Sequence, residues 1–526
     1  MTTIFYFFKF FSMNKKQYFL IATLFLPAIL FAQNKRESTT VTVSEVRDTT
    51  IDYKKPQKSV TYGSVTIGGK QISYQAIAGH LVLKDKEDSP TISMSYVAYF
   101  KTDVDRDKRP LTFIYNGGPG SSTIWLHMGA WGPQRVFLND TGRTNPPYKT
   151  VNNDYCLLDA SDLVFIDAPG TGFGEIVTKK MGGAGEPKDF YGIDEDGDAF
   201  SSFINLFITT YSRWNSPKYV FGESYGTFRS AVVANGLLRY NITLNGVILL
   251  SQLLTYENMT EDAGGHPGND LPYVLVLPSF AATAWYHHKL PNQPAQLEPF
   301  IKEVEQFAMN DYFNALSKGA WLDSSSFNAM AEKLHEYIGL PVTYIRKANL
   351  RVNGPQFEQT LLGNDNEITG RLDSRFSGDA INPLSEGAQY DPMDSHVDAP
   401  FTAALNSYMR TQLKFGGDKP YKIFGNVYPW NFKRRQNSSS YPNVMNDLAQ
   451  AMILNPQMKV MLNMGYFDLG TPFFEGIYEM HHLPMPVALQ KNIEYDLYYS
   501  GHMVYLHPES LKQLHDNVAK FIFSTN

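Results

Sequence analysis

Residues 217–238 read PKYVFGESYGTFRSAVVANGLL: an apolar run, a Gly-Glu-Ser-Tyr-Gly turn, then an amphipathic helical stretch. A strand that breaks at a glycine-flanked serine and turns into a helix commits the chain to layered packing, because each element must bury a face against a neighbour. The same geometry lifts Ser224 to the tip of the turn and exposes its hydroxyl at the end of a sheet. Related breaks recur at LTFIYNGGPGSS (111–122) and DLVFIDAPGTG (162–172), and GVILLS (246–251) adds a fourth apolar strand. Strands separated by helical segments imply a largely parallel sheet with its ligands at the strand C-termini.

Either side of these units the pattern differs. From 59 to 101 the chain alternates, as in GSVTIGGKQISYQAIAGHLVL, which suits an antiparallel sheet. Residues 252–455 are irregular, aromatic and mainly helical in tone, and are expected to form a cap inserted into the fold. The strand signal returns in KVMLNMGYFDLGTP (459–472) and IEYDLYYSGHM (493–503), and SLKQLHDNVAKFIF (510–523) reads as a closing helix. The expected organisation is a catalytic domain of 59–251 plus 456–526, a cap of 252–455 and a flexible segment of 33–58 rich in Ser, Thr and Lys.

The N-terminus has its own logic. After Met13, a second and better start than Met1, come Asn14, Lys15 and Lys16, then a short apolar run ending at Ala32. A basic start, an apolar stretch and a small residue make a secretory signal over 1–32. The run is short for a bilayer span and is interrupted by Pro27, so no membrane span is expected once it is removed. A single cysteine, Cys156, allows no intrachain disulfide, which suits a bacterial periplasmic or secreted protein better than a eukaryotic secretory one. With 43% hydrophobic, 14% aromatic and 19% charged residues in 526, the chain can bury a sizeable core and is not a disordered composition. Its net charge of −6 offers no footing for nucleic acid. The signal carries three lysines and no acids, so the remainder has 43 basic against 52 acidic groups, nearer −9.

A serine nucleophile needs a base, and the base needs an orienting acid. Of 12 histidines, His502 follows the last strand, and Asp468 follows the strand before it. Both positions lie at the strand ends that Ser224 also occupies. Acyl transfer further needs donors for an oxyanion. The amide of Tyr225 is one, and the glycine loop Asn116-Gly117-Gly118-Pro119-Gly120 can bring another close to a substrate.

Taken together, NGGPGSS (116–122), GPQRV (132–136), DAPGTGFG (167–174), GESYG (222–226), the Asp468 segment and GHMV (501–504) resemble the serine carboxypeptidases. The motifs follow that family's order across the catalytic half of roughly 60–525. The resemblance implies an α/β-hydrolase fold with a mostly parallel central sheet, and an acyl-enzyme route to hydrolysis of the C-terminal peptide bond. It implies Ser224 as nucleophile, His502 as general base and acid, and Asp468 as its orienter. It also implies the amides of Gly118 and Tyr225 as oxyanion hole, and Asn116, Gly117 and Glu223 against the carboxylate of a peptide with a free C-terminus. No cofactor is implied. Three departures stand out: Ser121 replaces a frequent cysteine, Ala130 replaces a second glutamate that supports Glu223, and Tyr505 replaces the usual proline after GHMV.

Other features point elsewhere or nowhere. The pairs His287-His288 and His481-His482 lack metal-ligand spacing, and DPMDSHVD (391–398) reads as a polar cap loop rather than a metal site. The glycines of the NGGPG loop lack the lysine of a phosphate loop. Two rival readings remain: an esterase or acyltransferase using the same triad, and an exported binding protein without turnover. Oligomeric state is not written in the sequence.

Overall fold

The computed structural model describes residues 51–526 apart from 143, 261–266 and 436–440. The expected signal and most of the 33–58 segment lie outside the described residues. Nine strands build the main sheet: β1 (Gln57–Ile67), β2 (Lys70–Lys84), β3 (Pro90–Lys101), β4 (Leu111–Tyr115), β5 (Asp162–Ile166), β6 (Lys218–Glu223), β7 (Gly246–Leu250), β8 (Lys459–Gly465) and β9 (Ile493–Tyr498). Their spatial order is β1-β2-β3-β5-β4-β6-β7-β8-β9, with the two-residue strand Glu175–Ile176 also paired to β3. The first three strands and the β3–β5 pair run antiparallel, and the remaining neighbours run parallel. The sheet begins at Gln57, two residues before the expected boundary.

Side-chain alternation explains why the sheet is covered on both faces. Phe113, Tyr115, Val164, Ile166, Val220, Val247, Leu249, Val460 and Leu462 point to one core. Ile114, Leu163, Phe165, Tyr219, Phe221, Ile248, Leu250 and Met461 point to the other. A strand apolar at every position can only sit between two layers. Helices α1 (Ile193–Thr210) and α2 (Tyr225–Leu237) cover the first face and pack together. The C-terminal helix contributes Leu511, Leu514, Val518 and Ile522 to the second.

Between β7 and β8 the chain is mainly helical, as its tone suggested. Helix α3 (Leu271–Tyr286) joins the first core through Val274, Val276 and Phe280. Helix α4 (Pro392–Thr411) joins the second through Val397, Phe401 and Tyr408. Helix α5 (Met445–Leu454) lies directly against α2. The segment read as a polar cap loop at 391–398 is instead the start of α4. Asp391 accepts from the Met393 amide at 2.8 Å, capping the helix, and Pro392 takes the first helical position, where no donor is needed.

Candidate active site

The turn after β6 is strained where chemistry would need it. Ser224 has φ 60° and ψ −132°, a backbone region that non-glycine residues avoid unless the surroundings hold them there. Two flanking glycines make room: a Cβ on Gly222 would come within 2.1 Å of the Gly226 carbonyl, and one on Gly226 within 2.9 Å of the Tyr115 carbonyl. The Ser224 amide donates to Leu250 O at 3.0 Å, tying the turn to the end of β7. A buried Arg229 on α2 then links the turn to the glycine loop. It pairs with Asp196 at 2.6 Å and donates to Asn116 O at 2.6 Å. Losing either charge of that pair would leave the other buried and uncompensated.

Asp468 and His502 meet over the same strand ends. Nδ1 of His502 lies 2.7 Å from Asp468 Oδ2. The Asp468 carboxylate also accepts from the amides of Gly470 and Thr471, both at 2.9 Å, and from the Thr471 hydroxyl at 2.6 Å. Four donors suit an ionised carboxylate and fix its plane. The histidine loop is held from behind: Ser251 Oγ donates to His502 O and the His502 amide donates to Leu372 O, each at 2.6 Å. Burial opposes protonation of His502, but the charge and hydrogen bond of Asp468, with the charge of Glu223, outweigh it and raise its affinity for a proton.

Ser224 and His502 open on a cavity of about 310 Å³ whose wall also carries Asn116, Gly117, Gly118, Glu223 and Tyr225. The structure therefore brings together every site residue expected from the sequence. A larger surface hollow, about 900 Å³, lies away from this turn and includes Asp159, Lys512, His515 and Asp516 in its wall. It offers ion pairs rather than a nucleophile.

Glu223, 2% exposed, sits at the inner end of the cavity. Burial raises its pKa to about 7, against the lowering effects of His502, the Tyr505 hydroxyl and the Asn116 side chain. The Tyr505 hydroxyl lies 2.9 and 3.2 Å from its two oxygens. Ala130 stands where the resemblance would place a supporting glutamate, and Tyr505, noted in the sequence only as a replaced proline, is the hydrogen-bond partner of Glu223. At the other departure, Ser121 Oγ accepts from Trp125 Nε1 at 3.2 Å, so the hydroxyl has a structural use.

Sequence reasoning missed much of the cavity wall. Trp125, Arg371, Asp394, Asp398 and Phe424 all line it. Asp394 and Asp398 lie one helical turn apart on α4, so the Asp-Pro start of that helix was the available signal. Ile423 and Gly425 hold the glycine loop directly, through Ser122 N to Ile423 O and Gly425 N to Gly120 O, both 2.8 Å. On the opposite wall, Glu479 of helix α6 (Phe473–His481) accepts from the amides of Leu254 and Thr255 at 2.9 and 3.1 Å, bracing the turn that carries Leu253 and Tyr256 into the cavity. Among the described residues no group of three or more His, Cys, Asp or Glu is arranged to hold a metal. His287 instead bonds Ser374 O at 2.6 Å.

A serine carboxypeptidase family model matches residues 68–263. The pheromone-processing carboxypeptidase KEX1 of Saccharomyces cerevisiae is 28% identical over 174 residues, covering 32% of this chain and 23% of that protein. A carboxypeptidase Y homolog of Arthroderma benhamiae is 31% identical over 141 residues, covering 27% of this chain and 25% of its own. The chain thus spans about a quarter of the length of these curated relatives. Among solved structures, that of KEX1(DELTA)P, a prohormone-processing carboxypeptidase from Saccharomyces cerevisiae, aligns with a TM-score of 0.50 and 18% identity over 85% of this chain and 91% of that one. The fold is that of an α/β-hydrolase.

Proposed function

We propose that this chain is a serine carboxypeptidase that releases the C-terminal residue of peptides through an acyl-enzyme intermediate. The observation that carries the reading is a buried carboxyl, Glu223, placed immediately before the nucleophile and inside the same cavity. A hydrolase of neutral esters has no use for an acid there. A peptide carboxylate does, because a protonated carboxyl and a carboxylate share one proton in a short, strong hydrogen bond.

On this reading the terminal carboxylate rests against Asn116, Gly117 and Glu223. Asp468 holds His502 with Nδ1 protonated, leaving Nε2 to take the Ser224 proton as Oγ attacks the last peptide carbonyl. The amides of Gly118 and Tyr225 receive the oxyanion. His502 then returns the proton to the leaving nitrogen, the C–N bond breaks, and the terminal amino acid departs. Water activated by His502 attacks the acyl-enzyme and frees the shortened peptide.

The pH dependence follows with opposite signs. His502 must be neutral, so turnover falls as pH drops through its raised pKa. Glu223 must be protonated, so binding of free-acid peptides weakens as pH climbs through about 7. Esters and amides should show the first limb and not the second. The test is KM against pH for a peptide and its C-terminal amide. Matching profiles would reject carboxylate recognition and favour the esterase or acyltransferase reading, which Ala130, in place of the second glutamate of the carboxylate site, also favours.

We also place the protein outside the cytoplasm of a bacterium, on the strength of the signal-like start and the single cysteine. No helix among the described residues is long and apolar enough to cross a membrane. Fractionation with N-terminal sequencing of the mature chain tests this.

A further inference from the structure

Around Glu223 the hydrogen-bond directions form a relay. The Leu126 amide donates to Asn116 Oδ1 at 3.1 Å, which assigns that end of the side chain as acceptor and turns the amide nitrogen inward. The Asn116 side chain lowers the proton affinity of both Tyr505 and Glu223. Tyr505, itself buried, donates its hydroxyl proton to Glu223, whose two oxygens lie 2.9 and 3.2 Å away. The ring is seated tightly: a Cβ on Gly129 would fall 2.6 Å from its Cε2 atom.

With the Tyr505 hydroxyl donating to both of its oxygens, Glu223 meets a donor and not an acceptor on that side. We propose that Tyr505 is the positioning residue of the carboxylate site, a fixed donor that turns the single exchangeable proton of Glu223 outward onto the terminal carboxylate of the peptide. This rests on the carboxypeptidase reading. The other charged groups facing Glu223 are His502 and Asp468 behind the nucleophile, and Arg371, Asp394 and Asp398 farther round the cavity.

The experiment compares the full chain with Tyr505→Phe, which keeps the ring and removes the hydroxyl. The readout is the ratio of kcat/KM for a free-acid peptide to that for a matched ester, from about pH 5 to about pH 8. The ratio should fall about fivefold at acidic pH, the size of one hydrogen bond. Its decline should also move to higher pH, because the lost donor stabilised the ionised form of Glu223. Gly129→Ala, which pushes the ring without altering the hydroxyl, should change the ratio in the same direction. An unchanged ratio and profile in Tyr505→Phe would overturn the proposal, and so would equal losses on acid and ester. A wild type whose ratio does not vary with pH would overturn the carboxypeptidase reading first, and this inference with it.

Discussion

Two buried carboxyls flank His502, and the molecule treats them in opposite ways. Asp468 lies in a loop whose own amides and Thr471 hydroxyl converge on it with the imidazole, four donors for one group. Glu223 has Tyr505 and Asn116, and burial carries its pKa up to about 7. Around one carboxyl four donors converge; at the other a single tyrosine hydroxyl reaches both oxygens. Depth does not distinguish the two: Asp468 is 0% exposed and Glu223 2%.

The most damaging change to that arrangement removes the atom both carboxyls serve. Ser224→Ala should keep the fold and lose on the order of 10⁴-fold or more in kcat, together with labelling by a serine-directed phosphonofluoridate. A variant retaining a tenth of the activity would show that both acids serve something else. Next is Asp468→Asn, expected to cost roughly 10³- to 10⁴-fold in kcat through the wrong imidazole tautomer, with KM little changed. If kcat stays put, the contrast collapses, since Asp468 would then be a structural acid. Thr471→Val trims one of the four donors while preserving shape. A loss of about tenfold in kcat is expected, the size of a hydrogen bond to a charged group. The smallest change is at the other acid. Glu223→Gln supplies a permanent donor, so the rise in KM for free-acid peptides above about pH 7 should flatten, while an ester keeps its profile. A rise that persists in the glutamine variant would mean the titrating group is not Glu223.

The two carboxyls were also unequally legible. Asp468, His502 and Ser224 each follow an apolar strand, and a parallel sheet collects strand ends at one edge, so pattern alone could assemble them. The turn at 222–226 further carries its glycines in sequence, where the backbone needs them. The Tyr505–Glu223 contact joins residues 282 apart and depends on a ring filling the space before Gly129. No local periodicity encodes that. The wall residues of α4 were hidden for another reason: DPMDSHVD is polar enough to pass for a loop, and only the Asp391 cap and the buried stripe running from Met393 to Met409 make it a helix. The 421–431 segment has no regular period, because distant partners such as Gly120, Ser121, Gly172 and Gly192 shape it.

That last segment has a consequence for anyone wishing to dissect the molecule. The backbone of the glycine loop is fastened by Ser122 N to Ile423 O and by Gly425 N to Gly120 O, bonds that cross from that loop to the inserted residues. A minimal version trimmed of residues 252–455 would leave this loop without its anchor and could not inherit the chemistry. In hydrogen-exchange terms, the amides of Ser122 and Gly425 should open together, in one cooperative unit that spans both parts of the chain.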